Sequence, residues 1–213
     1  MIPLGDDNFQ SIPIDFTFNY FTQSFTTLKI STNGFVYFSG SYKCCLLSQP
    51  LSSNIISGLN YDLNTLNGGK IFYQYITSSD TYLYNAVKAD LNKLNANFAP
   101  TNILRITFDN VHDYDNDNKL ATFQIVLAKD SGSLSYVMVK YTSCIDSLLN
   151  APGLYYMNTT SHQQLSISFQ NPCTSSNVNS NGLWVYDVSN FPSSLFFLWF
   201  ICLFQLKKSH YIN

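Results

Sequence analysis

The sequence predicts an all-β fold: an antiparallel β-sandwich of about ten strands with one peripheral α-helix. Three observations carry this. Apolar residues recur at every second position in one segment after another, which places them on one face of a strand. The chain holds 17 Phe and 15 Tyr but only 11% charged residues, and aromatic side chains suit a pleated, half-buried surface. Turn signals such as Asn33-Gly34 and Gly68-Gly69 separate the runs.

The first strand is read from Ile12, Ile14, Phe16 and Phe18, which alternate with Pro13, Asp15 and Thr17. Pro13 has no N–H to give a ladder, so an edge position is expected. Leu28 and Ile30 continue the pattern. Asn33-Gly34 then leads into Phe35-Val36-Tyr37-Phe38, which predicts a hairpin on a type I′ turn with positive φ at both central residues. A Ser- and Leu-rich connection runs to Ile55-Ile56. Leu59–Asp62 and Lys70–Ile76 read as two strands flanking a loop. The period changes between Asp80 and Asn97, where Leu83, Val87, Leu91 and Leu94 share one face of a helix. Ser79 or Asp80 is the expected N-cap, and Pro100 the stop.

Ile103–Tyr141 is the expected centre of the domain, an antiparallel meander of three runs. Leu104, Ile106 and Phe108 share a face, then Phe123, Ile125 and Leu127, then Val137, Val139 and Tyr141. Lys129–Ser133 reads as a hairpin turn with Gly132 available for positive φ, and His112–Lys119 as a longer acidic loop. Pro152–Met157, Leu165–Phe169 and Leu183–Val188 complete the strands. The folded domain is placed at residues 5–189 and a short hydrophobic tail at 190–213.

A chain of 213 residues can bury roughly 70% of its unfolded surface without metal or disulfide. The net charge of −2 gives no electrostatic footprint for nucleic acid. Five cysteines match no zinc or redox spacing. Cys44, Cys45, Cys144 and Cys173 lie in the β-patterned part and are disulfide candidates in an oxidising compartment, with three connectivities open. Met1-Ile2-Pro3-Leu4 leads straight into Gly5-Asp6-Asp7 without the regions of a secretory leader, so the sequence is expected to start part-way into a longer product. Leu195 to Phe204 is an unbroken apolar run followed by Gln205, Leu206, Lys207 and Lys208. As a helix of ten to sixteen residues it would measure ~15–24 Å, short of the roughly 30 Å hydrocarbon core. Attachment to a membrane through Leu195 to Leu206, a final strand, or sequence absent from the mature protein are the three readings.

Several of these segments, in this order, resemble the nidogen-type extracellular domain, or NIDO. Ile30–Phe38 is similar to its "STNGF" hairpin. Asp62 followed by Gly68-Gly69 and Lys70–Tyr73 is similar to its acidic residue, glycine pair and aromatic strand. Thr107–Val111 resembles "TWDNV", Thr122–Ala128 resembles "FQVVL", and Tyr141 matches the tyrosine that closes the next strand. Ser176-Asn177-Val178 with Gly182–Tyr186 resembles the closing "SN…G.W.F" pattern. Tyr61 and Phe108 stand where the family has tryptophans, a replacement within the apolar aromatics. The resemblance implies an extracellular, non-catalytic module of the cell–matrix adhesion type, as in nidogen, alpha-tectorin and membrane mucins. It implies matrix or cell-surface partners and offers no catalytic residues to carry over.

Asp113, Asp115 and Asp117 alternate as oxygen ligands do around Ca²⁺. The glycine and terminal Glu of an EF-hand loop are missing, so a solvated acidic loop is the preferred reading and no cofactor is expected. Asn158-Thr159-Thr160 is the chain's acceptor sequon for an N-linked glycan. His112, His162 and His210 are scattered, without HExxH or GxSxG context. No enzymatic activity is expected. Two classes of function stand: an adhesion or interaction module, and a lectin-like sandwich binding glycans on exposed aromatics.

Overall fold

The structure, a computed structural model, describes residues 1–39, 54–59, 61–115, 120–143, 152–158, 160 and 163–192. Cys44, Cys45, Cys144, Asp117 and the run from Leu195 to Leu206 lie outside these. Among the described residues, eleven strands form two antiparallel sheets. One sheet contains β1 (Phe9–Tyr20), β2 (Gln23–Ser31), β3 (Phe35–Tyr37), β4 (Ile55–Ser57), β9 (Gly153–Asn158) and β10 (Gln163–Ser168), in the order β1-β2-β3-β4-β9-β10. The other runs β11-β8-β7-β6-β5, from β11 (Leu183–Asp187), β8 (Ser135–Ser143), β7 (Leu120–Asp130), β6 (Pro100–His112) and β5 (Lys70–Ile76). The expected meander is β6, β7 and β8, paired in register Ile106↔Ile125 and Ile125↔Val139.

Alternation builds the core between the sheets. Ile12, Leu28, Ile30, Val36, Ile56, Leu154 and Tyr156 come from the first sheet, and Ile71, Leu104, Ile106, Phe108, Phe123, Ile125, Val137 and Val139 from the second, all in one buried cluster. The other face of the second sheet is covered by α1 (Thr81–Leu91). Its Val87 and Leu91 pack with Ile103, Val126, Ala128, Tyr136, Met138 and Val185. Apolar burial at about 25 cal/mol per Å² makes these layers the main stabilising term.

Five local expectations are corrected. Leu59, Tyr61 and Asp62, the described residues of the strand expected at 59–62, are not in a strand. The segment makes only isolated bridges just beyond, Leu63↔Asp113 and Asp6↔Asn64, because its backbone bonds go to the Asn33-Gly34 turn. The helix ends at Leu91, so Leu94 falls outside it and is 41% exposed. Asp80 occupies the N-cap, and its carbonyl accepts the Tyr84 N–H at 2.9 Å, but its side chain caps no helix N–H, since Oδ2 accepts the N–H of Thr77 at 3.2 Å. Gly132 does not take positive φ; the Asp130 carboxylate closes that hairpin by accepting the N–H groups of Gly132 and Leu134, both at 2.9 Å. The fifth correction concerns the Asn33-Gly34 turn. Gly34 has φ +83°, but Asn33 is not in the left-handed region, so the turn is not type I′.

Candidate functional site

The departure at Asn33 has a physical cause, and it locates the most organised polar site among the described residues. The turn between β2 and β3 is buried. Thr32 is 0% and Asn33 1% exposed, although turns normally face water because their polar groups need partners. Here the partners come from three other segments. Asn33 Oδ1 accepts the N–H of Leu63 at 3.0 Å, and Asn33 Nδ2 donates to Asp7 Oδ1 at 2.7 Å. The Asn33 carbonyl accepts the N–H of Tyr61, and the Gly34 carbonyl those of Gly58 and Leu59. A Cβ on Gly34 would stand 3.1 Å from Leu59 Cβ, so close approach and positive φ both require glycine. Thr32 Oγ1 accepts from the Asn8 N–H at 3.1 Å. Thr65 and Gly5 bond reciprocally through the threonine hydroxyl, at 2.8 and 2.9 Å.

This hub draws the N-terminal segment and the Tyr61–Thr65 segment together and sets carboxylates around the turn. One oxygen each from Asp6, Asp7 and Asp62 lies within 4.8 Å of the others. The Asp6 carboxyl is pushed above its ordinary range by burial and by the Asp7 charge, and its Oδ1 is enclosed without a hydrogen-bond partner. The Asp62 carboxyl is pushed up by burial and then by the charges of Asp6, Asp7, Asp115 and Asp113. Like charges that crowd one another favour the neutral form. Leu66 (66%) and Tyr114 (46%) stand exposed in the adjoining segments, and Tyr114 donates its backbone N–H to the Asp62 carbonyl at 2.9 Å. This end of the sandwich is therefore acidic with apolar side chains beside the charge.

Of the alternating aspartates read from the sequence, Asp113 is 2% exposed and accepts the N–H of Asp115 at 3.1 Å through Oδ1. Among the described residues, the trio that brings oxygens close together is Asp6, Asp7 and Asp62, the chemistry of a hard-cation ligand set. Sequence reasoning saw Asp6-Asp7 as neighbours and had no means of bringing Asp62 to them. Asn33 was visible only as a turn residue.

The remaining motif residues also have structural tasks. Asn110 takes φ +48° at a bulge in β6, a conformation Asn tolerates. A Cβ on Gly69 would lie 2.4 Å from the Asn110 carbonyl oxygen, so the second glycine of the pair lets the chain pass that bulge. Tyr141, pushed well above ordinary phenol values by burial, donates its hydroxyl to the Gly58 carbonyl at 2.6 Å and ties the second sheet to the first. Asn177 closes the free edge of β11: its Oδ1 accepts the Val185 N–H at 2.9 Å and its Nδ2 donates to the Val185 carbonyl at 2.6 Å. Trp184 donates its indole N–H to the Pro172 carbonyl at 3.0 Å and stacks on Phe169. Cys173 is disulfide-bonded, with its partner outside the described residues. A family model described as "Nidogen-like domain" matches residues 26–150.

The chain belongs to the nidogen-like domain family. The matched span holds the buried turn, the glycine pair, the bulge and Tyr141. The same sandwich extends past it on both sides, through β1 and through β9, β10 and β11. No curated protein and no solved structure matches the chain.

Proposed function

We propose that this nidogen-like domain is an extracellular, non-catalytic contact module of the cell–matrix adhesion type, working through matrix or cell-surface proteins. Its membership of the family carries the reading. The geometry supports it: apart from Asp6 Oδ1, the polar groups that converge on the Asn33 turn are spent on one another and on backbone. Such satisfied networks fix one conformation, as a surface that must present itself unchanged to a partner requires. Exposed large aromatics give the lectin alternative little support. Phe9, Phe72, Tyr82 and Tyr114 stand on separate elements, and no single observation gathers them into a sugar platform.

The test is capture from matrix extract by the full chain immobilised at one end, with a glycan array run in parallel. Saturable, salt-sensitive binding of a matrix protein supports the module. Binding to defined glycans, with none to matrix protein, would replace it with the lectin reading. A chain that binds neither, while folded by circular dichroism, overturns the adhesion reading.

A further inference from the structure

We propose that Asn158 carries an N-linked oligosaccharide, and that it stands at the end of the sandwich opposite the acidic turn. This rests on the extracellular reading above, since the donor is a lipid-pyrophosphate-linked oligosaccharide of the secretory pathway. Asn158 ends β9 and pairs with Gln163, the last pair before the β9–β10 connection. It is part-exposed, and Thr160 is exposed. Asn158 Oδ1 accepts the Thr160 N–H at 3.0 Å, and Nδ2 donates to Thr22 Oγ1 at 3.3 Å. In the transfer, Nδ2 displaces the lipid pyrophosphate from the sugar's anomeric carbon. A C–N bond forms, the C–O bond to phosphate breaks, and one amide proton leaves, with no change of oxidation state. The secondary amide produced keeps one N–H and its carbonyl oxygen, so the bonds to Thr22 and Thr160 are compatible with the modified residue.

The topology fixes where the sugar sits. Gly153, at the start of β9, pairs with Ser57, which pairs with Phe35 beside the buried turn. β9 then runs away from the turn, past Met157, whose N–H donates to Asn54 Oδ1, to reach the β1–β2 turn at Thr22. The nine residues of β2, Gln23–Ser31, join the two ends, a span of roughly 27 Å at the ordinary strand rise. The oligosaccharide therefore covers the end holding Thr22 and leaves the carboxylates of Asp6, Asp7 and Asp62 open to a partner.

The experiment expresses the full chain behind a supplied secretory leader in eukaryotic cells. The wild type, Asn158→Gln, Thr160→Ala and Thr160→Ser forms are treated with an amide-cleaving N-glycosidase. Both the medium and the lumenal pool are scored, so a retained variant is still read. The wild type and T160S forms are expected to lose one oligosaccharide, with Asn158 converted to Asp in the peptide map, and N158Q and T160A are expected not to shift. Glycosidase-treated wild type is expected to retain whatever matrix binding the untreated protein has. An unshifted wild type with an unmodified Asn158 peptide overturns the proposal. Because the leader is supplied, that result leaves the extracellular reading to its own assay, the matrix capture. Loss of matrix binding on glycosidase treatment would overturn the placement of the sugar away from the contact end.

Discussion

Replacing Asn33 with alanine tests whether the buried turn is the hub of this fold. The substitution removes the acceptor of the Leu63 N–H, at a residue 0% exposed, and the donor to Asp7. A buried donor left unpaired costs about 1–3 kcal/mol, and the bond to the carboxylate of exposed Asp7 adds about 1 kcal/mol. The expected loss is about 2–4 kcal/mol in urea unfolding followed by far-UV circular dichroism, with an unchanged slope if the denatured state is unaltered. Asn33→Asp sharpens the test. It keeps the acceptor for Leu63 but places a second carboxylate against Asp7, so it should destabilise at pH 7 and recover as the pair takes up a proton in acid. An Asn33→Ala variant within about 0.5 kcal/mol of wild type, the ordinary range for a surface change, would refute the argument. So would an Asn33→Asp variant with no dependence on pH.

Three further outcomes follow from the same geometry. Tyr141→Phe leaves the Gly58 carbonyl without its hydroxyl donor and should lower stability by about 1–2 kcal/mol in the same assay, without a change of fold. Asp62→Asn should remove a repulsion. The folded carboxyls of Asp6 and Asp62 lie above their ordinary values, so the folded state holds these protons more tightly than the unfolded one. Their unfavourable contribution is absent below the unfolded value and grows as pH rises through the raised folded one. The variant should thus be more stable than wild type at pH 7, by about 1 kcal/mol or less as for exposed charges, and the difference should vanish near pH 3 in thermal melts. Asn177→Ala frees both backbone groups of Val185 on the edge strand β11 and should cost about 1–2 kcal/mol. An opened edge also invites pairing between chains, so light scattering should show self-association that the wild type lacks.

The sequence by itself determined the layers of this protein. Period-two alternation places Leu104, Ile106 and Phe108 on the core face whatever the neighbouring strands do, because a one-residue slip would turn them all outward. The helix face at Val87 and Leu91 was legible for the same reason, and the ordered motifs from Asn33 to Tyr186 were enough to name the family. Tertiary structure alone decided what those motif residues do. Asn-Gly between two strands signals a type I′ turn when the turn faces water. Here the turn is buried, so Asn33 bonds Leu63 and Asp7, partners distant in sequence, and only Gly34 takes positive φ. Asp62 meets Asp6 and Asp7 only because the Tyr61–Thr65 segment spends its N–H groups on that turn and on Gly5. Alternation is a local property that a linear pattern records. Which side chain answers a buried amide across the fold is a matter of three-dimensional accounting, written in no single stretch of the chain.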